Sequence, residues 1–326
     1  MQRQFLLSAV LFAASVATVP AIAQKDSYPS RPVRMIIPFA PGGASDYIAR
    51  ILQPKLAEAL GQQIVIDNRP GASGGIGVET AATATPDGYT LLLGNVSALG
   101  IGPSLFTSIK KNAANLVPIT LVVDVPGALG INGGLPPNNL KEFIAYARAN
   151  EGKLSYGSAG YASAQRMAFE FFMSKAGIKL LHVPYKGGAG ASTIATLSGE
   201  VAATMVTTAS LVPHAKSGKI KILAVVAKKR IPALPDTPTM IESGFPELDL
   251  GSWQGIYVPK GTPKAIMDRL YKVAVKVVHD PQIGQQYEKV SAQQITSDSP
   301  ADFAKFMREQ DAFWGKLIKK LDIKVE

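Results

Sequence analysis

Short apolar runs alternate with helix-like patterns along most of this chain. The runs RMIIPF (34–39), QQIVIDN (62–68) and YTLLLGN (89–95) have the length and composition of buried strands. The segment after the first run has apolar residues at helical spacing, carries Pro54 as an interruption that could kink the helix, and reaches a stop at Gly61. Because strands that alternate with helices are typical of βαβ units, we predict an α/β protein with mostly parallel sheets.

The same alternation predicts two lobes. A second α/β set begins near residue 125, and a strand followed by long helical segments begins near residue 250. The C-terminal helices need a sheet to cover, so we expect the chain to return to the first lobe. Lobe 1 then comprises residues 24–125 and 250–326, and lobe 2 comprises residues 126–249. Two α/β lobes joined by two chain segments leave a cleft between them.

The first 23 residues have the pattern of a secretory signal peptide. Arg3 precedes an apolar run over residues 5–19, and Ala21-Ile22-Ala23 forms an A-x-A cleavage site. We therefore predict export to the periplasm, with cleavage after Ala23. The chain contains no cysteine, which excludes disulfides, thiolate metal sites and cysteine nucleophiles.

Charge and motif content limit the partners of this chain. A formal net charge of +10 raises the local concentration of anions at the protein surface. Lysine and arginine are spread along the chain and are not clustered with aromatic residues, so we expect no nucleic-acid partner. No Walker loop or G-x-G-x-x-G motif stands in the required context, and three scattered histidines do not form a zinc site. We expect neither a cofactor nor a metal.

Four glycine-rich segments follow predicted strands, at residues 38–43, 69–75, 156–163 and 184–190. Strand-to-helix loops of a parallel sheet gather at the carboxyl ends of the strands, where ligands bind. Glycine lets a ligand approach the backbone, and the unpaired N–H groups at the start of a helix suit a carboxylate. One such loop is explained equally well as a tight turn, but loops from both lobes favour an anion site.

Side chains near these loops have two interpretations each. The hydroxyls of Ser158 and Ser163 add hydrogen-bond donors to the second-lobe loop. Asp46 either stabilises the first turn of its helix through the helix dipole or contacts a ligand amine or hydroxyl. Phe39 and Tyr185 either line a pocket or belong to the core.

A secreted serine hydrolase is the alternative from a different functional class. Residues 71–75, GASGG, match the G-x-S-x-G motif between a predicted strand and a helix. A nucleophilic Ser73 needs a histidine base and an orienting acid. His182 lies in an apolar run, and His214 and His279 lie near predicted helix ends, so a binding protein is favoured.

The chain resembles the solute-binding receptors of tripartite tricarboxylate transporters, also called the Bug family. The resemblance rests on YPSRPVRMIIPFAPGGASD, NRPGASGGIG, ATPDGYTLLLGN, YGSAG, HVPYKGG, KSGKIKILAVV, PALPDTPTMIESGFP and SWQGIYVPKGTPKAIMDRL, in this order. It implies a two-lobed periplasmic-binding-protein fold, similar to type II, with a mostly parallel sheet flanked by helices in each lobe. It also makes NRPGASGGIG a family loop and not a nucleophile elbow.

The resemblance further implies which residues hold the ligand. In such receptors the loops matching residues 38–46 and 156–163 hold a carboxylate, partly through backbone amides and bridging water. Two groups of residues carry over to this chain. The first grip contains Phe39, Ala40, Gly42, Gly43 and Asp46, with Asn95 at the same rim; the second grip contains Ser158, Gly160 and Ser163, with Tyr185 nearby.

The expected function is therefore that of a monomeric, non-enzymatic receptor. It closes on a small carboxylate and delivers it to the membrane permease subunits of a tripartite tricarboxylate-type transporter; a ligand sensor for a membrane signalling protein is the other alternative. Four departures from the family pattern leave the ligand open among di- and tricarboxylates, amino acids and aromatic acids: Ala162, Arg166, Gly190 and Ala202. We expect Arg166 to face solvent.

Overall fold

The computed structural model describes residues 28–185, 188–215, 217–248 and 251–323, so the predicted signal peptide lies outside the described residues. Within these ranges the chain forms ten strands, which make two five-stranded sheets. The strands are β1 (Val33–Ile37), β2 (Ile64–Asn68), β3 (Thr90–Asn95), β4 (Leu116–Val125), β5 (Gly127–Asn132), β6 (Ser155–Ser158), β7 (Leu181–Pro184), β8 (Ala203–Thr207), β9 (Ile220–Val226) and β10 (Ser252–Pro259).

Eleven α-helices connect and cover these strands within the described ranges. They are α1 (Ala44–Leu60), α2 (Gly75–Ala82), α3 (Gly102–Leu105), α4 (Thr107–Ala113), α5 (Leu140–Ala149), α6 (Ala164–Ala176), α7 (Gly188–Ser198), α8 (Thr208–Ala215), α9 (Lys264–Val278), α10 (Pro281–Glu288) and α11 (Pro300–Lys320). A 3-10 turn, Ala72–Gly74, precedes α2, and a π-helical stretch, Val96–Ile101, follows β3. In the part of the chain that the structure describes, no helix combines the length and the apolar character that crossing a bilayer requires.

The two sheets have the same arrangement. The first has the strand order β2-β1-β3-β10-β4 and the second the order β7-β6-β8-β5-β9. In each, one strand pairs in parallel with two neighbours, and another pairs antiparallel with two neighbours. Four of five strands in each sheet therefore run in one direction, and the sheets are mixed. The predicted two-lobed α/β fold is confirmed in these terms.

The antiparallel strand of each sheet is the first strand after the chain crosses from the other sheet. β4 leads through Pro126 into β5, and β10 enters the first sheet after the chain has left β9. The C-terminal helices α9 and α11 then pack against β4. The lobe boundaries at residues 125 and 250 stay a prediction.

The helices show where sequence patterns suffice. α1 continues through Pro54 and ends where Gly61 adopts a left-handed φ of 74°, which glycine tolerates best. The π-helical stretch and the helices α3, α4 and α8 were not predicted, because segments of four to eight residues are too short to show a clear helical periodicity.

The side chains of β10 pack into two apolar layers, one on each face of the first sheet. Ile256 and Val258 pack in the cluster that includes α1 and α9 residues, whereas Trp253 and Tyr257 pack with Phe303 of α11. This alternation follows from the period of two along a strand. Even-numbered residues of β10 therefore lie on the face that α1 covers.

Candidate functional site

Both grips lie at the carboxyl ends of parallel strands. Residues 38–43 connect β1 to α1, and residues 159–163 connect β6 to α6. β1 and β6 occupy equivalent positions in their sheets, since each lies between two parallel neighbours. In open α/β sheets this edge is where ligands bind.

The first grip presents backbone amides at the start of α1. Gly43 is the N-cap residue, and it has no side chain with which to cap the helix. The first N–H groups of a helix, here those of Ala44, Ser45 and Asp46, have no intrahelical acceptor. The 17 residues of α1 add a partial positive charge at this end. The loop can therefore hold an anion without an arginine.

Asp46 is buried and forms hydrogen bonds with the loop of the first grip and with α1. It is only 3% exposed, and its Oδ2 accepts hydrogen bonds from Gly42 N at 3.0 Å and from Arg50 Nε at 2.9 Å. Its Oδ1 accepts from Arg50 Nη2 at 3.1 Å. Burial alone would raise the pKa of this carboxyl, but the hydrogen bonds from Arg50 and Gly42 outweigh burial and lower the pKa below its ordinary value. Both oxygens of this carboxylate therefore already have hydrogen-bond partners, from the loop and from α1.

Asn95 ties the end of β3 to the first turn of α1. Its Nδ2 donates to Ser45 Oγ at 3.0 Å, and its Oδ1 accepts from Ala98 N at 3.0 Å. Ser45 is buried, so this contact lies beneath the surface of the first grip. Asn95 therefore lies at the rim where the sequence places it.

Phe39 and Ala40 form the outer part of the first grip. Phe39 is half-buried, and its carbonyl oxygen accepts a hydrogen bond from Asn68 Nδ2 at 3.0 Å. Ala40 is exposed, and its carbonyl oxygen accepts from Gly43 N at 3.4 Å. The structure thus brings together all five first-grip residues with Asn95. Sequence reasoning missed Asn68, although a polar residue that ends the neighbouring parallel strand could have indicated it.

The second grip is a turn between β6 and α6. Ser158 is fully buried, and its Oγ lies 3.2 Å from both the N–H and the carbonyl oxygen of Gly160. Gly160 has φ of 122°, and a Cβ placed on it would meet no atom within 4 Å. Ser163 is the N-cap of α6, where its Oγ accepts from Arg166 N at 3.2 Å. The structure brings these three residues together beside open space.

His182 completes the buried side of the second grip. Its Nε2 lies 2.7 Å from Ser158 Oγ, and its ring packs near Tyr156 and Tyr161. Burial, and secondarily the positive charge of Arg166, lower the pKa of His182 to about 4. The imidazole is therefore neutral at pH 7.

Tyr185 joins the second grip through its backbone. Its N–H donates to the carbonyl oxygen of Ser158 at 3.0 Å, whereas its hydroxyl donates to Glu200 Oε1 at 2.7 Å. Burial and the hydrogen bond to Glu200 raise the pKa of Tyr185 to about 12. The hydroxyl thus already has a partner within the lobe.

Arg166 corrects one expectation, because it is buried and does not face solvent. It is 7% exposed, and its Nη1 donates to the carbonyl oxygen of Tyr161 at 2.8 Å. Its Nε lies 3.6 Å from Glu170 Oε1. Sequence reasoning missed this because the helical position alone does not reveal the carbonyl of the preceding turn as a partner. Through this hydrogen bond Arg166 stabilises the turn that forms the second grip.

One contact links the two groups of loops. Ser97, in the π-helical stretch after Asn95, has an Oγ that accepts a hydrogen bond from Ala164 N in the first turn of α6 at 3.4 Å. Ala164 follows the N-cap Ser163. The contact therefore places the rim of the first grip against the helix end of the second.

Ser73 has a different environment from a catalytic serine. It lies in the 3-10 turn with φ of 55°, while the Nε2 atoms of His182 and His279 lie near Ser158 and Thr296. The neighbouring Gly74 packs against the first grip, because a Cβ there would lie 3.3 Å from the ring of Phe39. The loop thus supports the grip.

A protein-family model and a curated relative match this chain over most of its length. Residues 48–323 match the model described as tripartite tricarboxylate transporter family receptor. Protein BugT of Bordetella pertussis is 32% identical over 323 residues, which cover 98% of each chain.

Solved structures are also similar to this chain. The periplasmic binding protein BugD is 36% identical with a TM-score of 0.83, over 92% of this chain and 100% of the other. A structure titled R. palustris Rpa4515 with adipate is 29% identical with a TM-score of 0.84, over 91% and 99% of the two chains. MatC from Rhodopseudomonas palustris with bound malate is 28% identical with a TM-score of 0.80, over 89% and 100%.

Proposed function

We propose, from the premise that this chain belongs to the tripartite tricarboxylate transporter receptor family, that it captures a small carboxylate between its two grips and delivers it to the membrane permease subunits of such a transporter. The family and its structural neighbours are periplasmic solute-binding proteins. The chain is accordingly a solute-binding protein and not an enzyme, which removes Ser73 as a nucleophile.

The observation that carries the proposal is that one helix from each sheet begins at a glycine-containing loop, and that Ser97, which follows the rim residue Asn95, contacts the start of the second of these helices. The first turn of α1 has amides without intrahelical acceptors, and Ser97 joins this rim to the first turn of α6. A ligand held between two helix N-termini would be an anion by preference. Adipate and malate in two similar proteins are both dicarboxylates, which supports a carboxylate as the anion here.

Hinge closure is the proposed mechanism of capture. Residues 24–125 with 250–326, and residues 126–249, would act as the two lobes, with the hinge near Pro126 and near residue 250. A ligand that contacts both grips only when they meet stabilises the closed state and shifts the population towards it. The mature receptor would begin at Gln24 in the periplasm and act as a monomer.

Thermal unfolding against a panel of small mono-, di- and tricarboxylates tests the proposal. The protein is first unfolded and refolded to remove any ligand that it carries. A ligand at 100 times its Kd adds about 2.7 kcal/mol to the free energy of unfolding, so a true ligand raises the Tm clearly. If none of the acids raises the Tm, carboxylate binding is refuted.

Gly43→Val tests the location of the site. Gly43 has φ of −77°, which valine also adopts, and an added Cβ lies 3.4 Å from Ala40 O. The variant should fold but bind the acid at least about tenfold more weakly, because its side chain obstructs the α1 amides. Gly315→Val is the matched control, since a Cβ there meets only Ser104 Oγ at 3.6 Å. Equal affinities of the two variants would remove the first grip from the site.

A further inference from the structure

Helix α9 carries three cations on one exposed side. Arg269, Lys272 and Lys276 are all exposed, and they follow one another at spacings of three and four residues. Residues at these spacings lie one above the other on the same side of a helix. The three charges therefore form one row, which we call the cation row. It is about 10 Å long at 1.5 Å per residue.

The opposite side of α9 holds the helix in the fold. Leu270, Ala274 and Val277 are buried in the apolar cluster that also contains residues of α1. The helix is thus fixed against the first sheet, and the cation row points away from the core. A rigid helix presents its charges to a partner without first having to order them.

The acidic residues beside the cation row have other partners. Over residues 264–280 they are Asp268 and Asp280. Asp268 pairs with Lys264 at 2.6 Å, and Asp280 pairs with Lys55 at 3.3 Å. Across the part of the chain that the structure describes, the cations of the row form neither an ion pair nor a side-chain hydrogen bond. Their positive charge is therefore uncompensated at the surface.

The exposed side of α11 shows the contrast. There Lys305, Lys316 and Lys319 share the surface with Glu309 and Asp311, all of them exposed. Charges of mixed sign largely cancel in the field beyond the surface, whereas charges of one sign add. The basic character of α9 is thus a property of one face and not only of the net charge.

We propose that the cation row docks the protein on the surface of a membrane that contains anionic phospholipid. A basic face on an amphipathic helix suits such a surface, where each lysine or arginine contributes about fivefold in affinity. None of the exposed residues of α9 is a large apolar side chain, so the contact is electrostatic and the helix does not insert. Evenly spaced point charges without a groove match a plane of headgroups better than one acidic peptide. The inference goes beyond the proposed function and stands without it.

Sedimentation with lipid vesicles tests the docking. Vesicles of phosphatidylcholine with about 30% phosphatidylglycerol are compared with pure phosphatidylcholine, at about 50 mM and about 500 mM NaCl, where the screening length is roughly 14 Å and roughly 4 Å. The protein is used from residue 24 onwards, because the apolar run at residues 5–19 would itself enter lipid. It should sediment with the anionic vesicles at low salt only.

Two triple variants separate the cation row from the net charge. Arg269→Gln/Lys272→Gln/Lys276→Gln should lower the partition coefficient about 100-fold, to the level of the neutral vesicles. The matched control, in which the three α11 lysines named above are replaced by glutamine, loses the same net charge. Its partition coefficient should fall at most about fivefold, the contribution of a single charge. Both variants change exposed side chains, so thermal unfolding should show a Tm close to that of the unsubstituted protein.

Each outcome decides the inference without deciding the proposed function, which is tested by carboxylate binding in the absence of lipid. A loss confined to the α9 variant supports the docking. Equal losses in the two variants would show that net charge alone binds the vesicles, and the inference would be wrong. If the unsubstituted protein does not sediment with the anionic vesicles at low salt, lipid docking is refuted and an acidic protein segment becomes the partner to test for this face.

Discussion

Replacing Asp46 by alanine tests whether this carboxylate positions the first grip. The substitution removes the acceptor of the Gly42 N–H, at 3.0 Å, and the partner of Arg50. If Asp46 holds the loop from the inside, Asp46→Ala loosens the amides that receive the ligand. We expect both the stability of the ligand-free protein and its affinity for a carboxylate to fall.

The structure sets the size of the effect. A buried hydrogen bond to a charged acceptor contributes about 2 kcal/mol, whereas the Arg50 side chain is 55% exposed and its pairing adds little. A loss of about 2 kcal/mol corresponds to a Tm lower by roughly 4 °C for a chain of this size. If half of this loss, about 1 kcal/mol, is lost from the interaction between the loop and the ligand, the affinity falls by about fivefold.

The pH dependence has a definite sign. The folded-state pKa of Asp46 lies below its unfolded value, so its contribution to stability is fully present above that unfolded value, about pH 4. The contribution disappears as the pH falls through the folded-state pKa. The difference in unfolding free energy between the unsubstituted protein and Asp46→Ala should therefore be constant from pH 5 to 7 and shrink below pH 4.

Urea unfolding and calorimetric titration with a carboxylate measure the two effects. Arg50→Ala is the matched control, because it leaves the Gly42 N–H bonded to Asp46; it should change both quantities only slightly. Asp46→Asn keeps an acceptor for Gly42 and should be intermediate. The reasoning is refuted if Asp46→Ala matches the unsubstituted protein in both measurements. Tighter binding by Asp46→Asn would instead indicate that the carboxylate faces the ligand.

Three other variants test the second grip. Tyr185→Phe should retain full ligand affinity in calorimetry, because the hydroxyl already bonds Glu200; a large loss would show that the hydroxyl contacts the ligand. Gly160→Ala should lower the free energy of unfolding in urea by about 1 kcal/mol or more because φ is 122°, whereas Gly190→Ala, in open space without a positive φ, should be neutral or stabilising. His182 has a depressed pKa of about 4, so its neutral form is favoured on folding and stability falls as the pH drops from 6.5 to 4. His182→Gln should flatten this fall in urea unfolding, and an unchanged slope would contradict the prediction.

The sequence predicted features whose causes are local. β1 and β3 are short apolar runs, and the loop before α1 shows its Pro-Gly-Gly turn directly in the letters. The residues of each grip are near neighbours along the chain, so the structure was bound to place them close together. Asn95 was reachable as the residue that ends a parallel strand adjacent to β1.

Features that depend on distant contacts were not predictable in the same way. The hydroxyl of Tyr185 is engaged by Glu200, 15 residues away. Arg166 has near partners, the carbonyl of Tyr161 and Glu170, but the packing of α6 that buries it does not show in the sequence. The pairing of β10 with β3 joins segments about 160 residues apart. Periodicity reports which face of an element is apolar, but it does not report which strands become neighbours.

Small-angle X-ray scattering of the refolded protein, with and without a saturating carboxylate that raises its Tm, tests the central claim most directly. If one ligand contacts both grips, binding draws the lobes together and the radius of gyration decreases. At a ligand concentration near the Kd of the unsubstituted protein, Gly43→Val should keep a radius close to that of the ligand-free protein. An unchanged radius of gyration in the fully liganded protein would contradict capture between the two lobes.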